Sequence, residues 1–308
     1  MRTILSLVVL ALALALAVPN TVSAKNDTKV NGTTGTPLGG FGAGGVKFNG
    51  NEGTFAIMTR PPADAYDFKE VDGAAFQFFA KRGQATETVD QMKTVVIDGR
   101  PDDDAIWPLH RINFGTINDV HVAMTGFSPL DNEDYDNMSL PYAFYEVTLT
   151  NTKTSNVAVS IGLQWNSENE PFQFVPGKGI TNSTRTVFAS AKGKVNITGG
   201  NAADPGFLAN GVCNNAVNQN QAKVALALDL KANETRVVKF VISWYETVDP
   251  DLAYYFNLYD NSETIAVHGL KQFDHFFCSI SAVLSKSGTS YLLQSVGILR
   301  KKYKKKEF

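Results

Sequence analysis

Two groups of carboxylates are the first residues in this chain that could do chemistry: Asp102-Asp103-Asp104, and Asp131, Glu133, Asp134 and Asp136. Hydrolysis of a glycosidic bond needs two such groups, one to protonate the leaving oxygen and one to act as nucleophile or base, roughly 5–9.5 Å apart. Both sets sit beside Pro or Asn in polar stretches, where a solvated turn is the plainer reading. Hard oxygen ligands in a loop also suit calcium, but the spacing matches no calcium-loop pattern. Trp107, next to the first set and followed by Pro108, is the aromatic best placed to stack on a sugar ring; Asp103 and Asp134 are the carboxylates that would accompany it in carbohydrate binding.

Other chemistry finds little support. Gly40, Gly42 and Gly45 satisfy G-x-G-x-x-G, yet a polar loop precedes them and the turn-like Val46–Asn51 follows, whereas a phosphate cradle needs a strand before and a helix after. The glycines read instead as a β-turn array. His110, His121, His268 and His275 show no metal spacing, and neither a nucleophile elbow nor a cysteine nucleophile motif occurs. No metal and no cofactor is expected. A formal net charge of -2 argues against a broad nucleic-acid surface.

The elements that would carry these residues are strands. Val157, Val159, Ile161, Leu163 and Trp165 alternate with smaller or polar residues, which puts one face in a core and the other toward solvent. Ala143, Tyr145, Val147 and Leu149 repeat the pattern, and the polar stretch 151–155 reads as the turn of a hairpin between the two. Val224 to Leu230, then Ala232-Asn233-Glu234, then Val238 to Trp244 reads as a second hairpin. The expected fold is all-β: a large antiparallel β-sandwich over residues 25–249. Beyond Pro250 the period changes, and Ile265, Ala266, Gly269, Leu270 and Phe273 fall on one helical face behind a cap at Asn261 or Ser262. This predicts a helical connector over 250–275 that leaves the β domain. A poorly ordered basic tail is expected over 276–308, carrying the lysine run Lys301-Lys302-Tyr303-Lys304-Lys305-Lys306.

The N-terminus predicts export. Met1-Arg2, an apolar run from Ile4 to Val18 and Val22-Ser23-Ala24 have the layout of a signal peptide over residues 1–24, with no transmembrane span after its removal. A secreted or secretory-pathway location is expected. Sequons for N-glycosylation stand at Asn26, Asn31, Asn137, Asn182, Asn196 and Asn233. In that oxidising setting Cys213 and Cys278 could form one disulfide or stay unpaired.

Three stretches carry a family resemblance: Thr36-Pro37-Leu38-Gly39-Gly40-Phe41-Gly42-Ala43-Gly44, Phe114-Gly115 through Phe127-Ser128-Pro129-Leu130, and Ser139-Leu140-Pro141 leading into Tyr142–Asn151. With Val159–Asn166, Trp244-Tyr245 and the helix from Tyr255 to Phe273, they resemble the N-terminal domain of family 116 glycoside hydrolases, the bile-acid β-glucosidase and non-lysosomal glucosylceramidase-like proteins. The likeness runs from Thr36 to Asp274; Phe55 to Pro62 departs from it. It implies a β-sandwich packed on an (α/α)6 catalytic barrel that holds both catalytic carboxylates, so no catalytic residue carries over to this chain. The expected function is a non-catalytic accessory domain of a β-glucosidase or glucosylceramidase-like enzyme, a truncated form without activity alone. Its partners would be that barrel, in cis or in trans, and a glycan or glycolipid; without the barrel in cis the resemblance implies a sizeable exposed apolar patch, first of all on the helix Asn261 to Asp274. A free-standing secreted carbohydrate-binding module is the alternative.

Overall fold

The computed structural model describes residues 35–59, 68–131, 134–246 and 254–286. The expected leader 1–24, Asn26, Asn31, Glu133 and the lysine run lie outside them.

In chain order, β1 (Gly45–Asn49), β2 (Thr54–Met58) and β3 (Lys69–Val71) form a small antiparallel sheet. Next come β4 (Ala75–Arg82), β5 (Ala85–Val89), the two-residue strands β6 (Val96–Ile97) and β7 (Arg100–Pro101), then β8 (Asp103–Ile106), β9 (Leu109–Ile117) and β10 (Val120–Phe127). The short helix α1 (Tyr135–Met138) precedes β11 (Tyr142–Asn151) and β12 (Val157–Asn166). After them run β13 (Gln173–Val175), β14 (Gly179–Thr181), β15 (Arg185–Ala191), β16 (Asn196–Asn201), α2 (Gly206–Asn210), β17 (Gln221–Leu230) and β18 (Thr235–Trp244). A 3-10 turn at Tyr254–Asn257 leads to α3 (Ser262–Lys286).

Two sheets make the sandwich. One runs β13-β14-β15-β18-β11-β10-β9-β8 and the other β16-β17-β12-β4-β5, with antiparallel pairing in both. Their facing sides close on one core, in which Tyr145, Val147 and Phe240 meet Phe76, Ile161, Trp165 and Leu226, while Phe48 and Phe55 of the small sheet join in. The period-2 alternation read from β12 and β17 is what supplies this face.

Neither expected hairpin forms. β11 pairs with β10 and β18, whereas β12 pairs with β17 and β4, so the turn at 151–156 carries the chain from one sheet to the other. Residues 231–234 make the same crossing between β17 and β18. Alternation reports which face of a strand is buried, not which strand bonds to it, and an arch over the core satisfies it as well as a hairpin does. The two arches are tied together: Asn233 N–H donates to Lys153 O at 3.0 Å, and Asn151 Nδ2 donates to Ser155 O at 2.7 Å and Lys231 O at 2.8 Å. A hairpin that does form joins β9 to β10 through Asn118 and Asp119, both left-handed at φ 46° and 61°, as a two-residue primed turn requires.

The C-terminal helix does not leave the β domain. It lies on the outer face of the eight-stranded sheet, where Ile265, Phe273, Phe276 and Ile280 pack on Phe127, Tyr142, Phe144 and Val241. A side chain on Gly269 would meet Val241 at 3.1 Å, Phe144 at 3.3 Å and Tyr142 at 3.4 Å, so glycine there lets the helix approach the sheet closely. The apolar spacing at 273, 276 and 280 carries the helix past the expected end at 275, through residues assigned to the tail. The apolar patch expected on this helix is therefore covered by the chain's own sheet.

Candidate functional site

The site is built at one end of the sandwich, where β8 turns into β9, β10 ends and β11 begins. The glycine-rich loop 38–44 is fixed there by its backbone: Trp244 Nε1 donates to Ala43 O at 2.6 Å, Phe41 N–H to Met138 O at 2.7 Å and Gly39 N–H to Ser128 Oγ at 3.0 Å. A side chain on Gly40 would stand 2.3 Å from Leu140 O, which explains the residue type. Strand β1 follows the loop, so it has no helix N-terminus to offer a phosphate.

Held this way, Phe41 points outward, 56% exposed, and its ring lies 5.7 Å from that of Trp107, which is 43% exposed. Tyr135 on α1 is 73% exposed and Ile106 is 56% exposed. Trp107 thus faces outward as the sequence suggests, and Phe41 and Tyr135 are companions that sequence reasoning missed. The available signal was Phe41 itself, one large aromatic among glycines with no alternating neighbours.

The acidic segment closes the other side. Asp134 caps α1, its Oδ1 accepting from Asn137 N–H at 3.1 Å while Asn137 Nδ2 donates to Oδ2. From α3, His268 Nε2 bonds Asn137 Oδ1, and His275 Nε2 lies 2.6 Å from Asp131 Oδ2. Burial lowers the His268 pKa against the pull of Asp134, and burial followed by Asp134 and Asp136 raises that of Tyr259. Tyr142, whose hydroxyl donates to Asn137 O at 3.0 Å, is pushed well above the phenol range, chiefly by burial.

Asp103 is placed differently from the expectation. It belongs to strand β8, with its side chain wholly buried 2.5 Å from Nε2 of the equally buried His110. The solvated-turn reading fails here because Gly50 and Gly35 leave room for the pair beneath the small sheet: a Cβ on Gly50 would stand 2.1 Å from Asp103 Oδ2. Asp103 and Asp134 are not brought together as an acid–base pair: one is sealed against His110 and the other is spent on a helix cap. Among the described residues no group of three or more His, Cys, Asp or Glu is placed to hold a metal, and no helix is long and apolar enough to cross a membrane.

The cysteines do not form the disulfide. Cys213 is buried with Phe79, Phe207 and Ala225 on the outer face of the five-stranded sheet, and Cys278 lies on α3 against the outer face of the other. The sandwich core stands between them, far beyond a disulfide's reach. Burial raises the Cys213 thiol to about 11.

Among curated proteins no match to the sequence was found. Among the solved structures that align with it are a protein described as a kojibiose phosphorylase from the human microbiome, 12% identical, and a family GH92 inverting mannosidase from Bacteroides thetaiotaomicron, 11% identical, each at a TM-score of 0.34. Each alignment covers 79% of this chain but only 37% and 33% of the respective partner, so the chain spans about a third of their length. The family model described as beta-glucosidase 2, glycosyl-hydrolase family 116 N-term matches residues 35–196, the stretch that builds the small sheet, the end just described and much of both main sheets. The chain belongs to this family of glycosyl-hydrolase family 116 N-terminal domains.

Proposed function

We propose that the chain acts as a non-catalytic accessory domain of a β-glucosidase or glucosylceramidase-like glycoside hydrolase, exported by its leader, and that it meets a helical catalytic domain, in cis or in trans, through the end bearing Phe41, Trp107 and Tyr135. The observation that carries the reading is an exposed aromatic group seated on a rigid backbone loop, within the residues matched by the family. Aromatic anchors on a fixed scaffold are what a docking surface needs, since little freedom is lost when they are buried. The outer face of the eight-stranded sheet is already occupied by α3.

The carboxylates support the non-catalytic half of the proposal. An acid–base pair must reach a bond in a solvent-accessible pocket, and Asp103 is sealed in the interior.

The test is hydrolysis of an aryl β-glucoside by the purified chain, alone and mixed with the catalytic domain of a family 116 enzyme. The expected result is no release by the chain alone and co-elution of the two proteins. Turnover by the chain alone that disappears in Asp103→Asn or Asp134→Asn would overturn the proposal. Sugar binding without turnover and without co-elution would favour a free-standing carbohydrate-binding module.

A further inference from the structure

Four sequons fall within the described residues, and the fold treats them as two unlike pairs. Asn137 and Asn182 are half-buried with their amide nitrogens engaged. Asn137 Nδ2 donates to Asp134 while its Oδ1 takes His268. Asn182 Nδ2 donates to Glu170 O at 3.0 Å, and its Oδ1 accepts from the backbone N–H of Thr184 at 3.0 Å and of Arg185 at 2.7 Å. A sugar on Asn137 would have to stand between Asp134 and helix α3. One on Asn182 would press on the turn whose carbonyl receives Ser262 Oγ at 3.1 Å, where α3 begins.

Asn196 and Asn233 differ on every count. Both are exposed, and neither side chain makes a hydrogen bond among the described residues. Asn196 opens β16, an edge strand, and Asn233 sits in the arch between β17 and β18 at φ 55°. They flank one open groove of about 500 Å³: Asn196 lines it, as do Lys231 and Glu234 on either side of Asn233.

We infer that, of the four sequons in the described residues, Asn196 and Asn233 are the N-glycan acceptors and Asn137 and Asn182 stay unmodified, so that among these four the sugars stand at the arch end and none at the aromatic end. In the transfer, asparagine Nδ2 forms a bond to C1 of the reducing-end sugar of a lipid-diphosphate-linked oligosaccharide. The C1–O bond to the carrier breaks, the lipid diphosphate departs with the bonding electrons, and one amide proton is lost to base. The inference requires entry into a glycosylating secretory compartment, but not the accessory-domain reading.

To test it, the full chain is produced behind a host secretion signal in yeast and trimmed with an endoglycosidase that leaves one sugar on each occupied asparagine. Tryptic peptides of the secreted and membrane-enclosed fractions are then read by mass spectrometry. Tags are expected on Asn196 and Asn233, with Asn196→Gln and Asn233→Gln each removing one of them, and none on Asn137 or Asn182. A bare Asn196 or Asn233, or a tag on Asn137 or Asn182 in protein that keeps its near-UV signal, overturns the inference.

Discussion

The two ends of the sandwich are built on opposite plans. At the arch end the chain turns tightly and bonds to itself: Asn118-Asp119 closes a hairpin, and the crossings at 151–156 and 231–234 are laced through Asn151, whose Oδ1 accepts from Arg82 Nη2 at 2.8 Å. At the other end the turns Trp107-Pro108 and 182–184 are short as well, but the glycine loop is held by Trp244 and α1 by α3, elements distant from them in sequence. The first end satisfies its polar groups by bonding its turns to one another and presents charge and amide to water. The second spends its polar groups on positioning and leaves Phe41, Trp107 and Tyr135 outside. Self-sufficient turns serve as solvent surface; loops fixed from afar, with apolar tips, suit a partner.

The largest blow to this contrast should come from Phe144→Ala. Phe144 stacks on Phe127 at 4.9 Å and meets Phe273 edge-on at 5.3 Å, so its loss should cost about 3–5 kcal/mol in a urea melt and loosen α3. A cost below about 1 kcal/mol would mean that the helix does not depend on this face. Next in size is a pH effect at Glu146, which lies under the same helix. Burial, opposed by Lys239 and reinforced by Asp274, raises its carboxyl from 4.5 to about 7. A raised carboxyl contributes stability that is present below the unfolded pKa and lost as pH rises through the folded one. Stability should therefore fall by on the order of 3 kcal/mol between about pH 4.5 and 7, and Glu146→Gln should flatten that slope. At the arch end, Asn151→Ala leaves two carbonyls and the Arg82 guanidinium short of a partner, which should lower stability by about 2 kcal/mol without changing binding at the far end. Smallest of all, Trp107→Ala should shift the melt by no more than about 0.5 kcal/mol, because the ring is part exposed and meets Phe41, itself an exposed side chain.

How much of this was legible in the sequence depends on what each residue reports. The strands of the core were, because alternation at β11, β12, β17 and β18 records burial directly. Their pairing was not: an arch and a hairpin share one pattern, and the one local sign of a true hairpin lay elsewhere, in Asn118-Asp119. The docking of α3 was half legible. Tyr142 to Val147 are buried on both faces, and the run Tyr142-Ala143-Phe144-Tyr145, with no charged or amide residue between, signals a covered strand. At the candidate site Trp107 could be placed, since Pro and acidic neighbours mark a surface turn. Asp103 could not, because only the fold puts His110, seven residues away in sequence, against it.

On the reading proposed above, the aromatic end receives the catalytic domain and the arch end does not. The most direct measurement is titration calorimetry of the chain against a recombinant family 116 catalytic domain, using wild type, a Phe41→Ala/Trp107→Ala double variant and Lys194→Glu in the groove at the arch end. Wild type and Lys194→Glu should bind alike, and the double variant at least about tenfold more weakly, as expected for lost aromatic anchors. Equal binding by the double variant, or loss of binding in Lys194→Glu alone, would contradict the account.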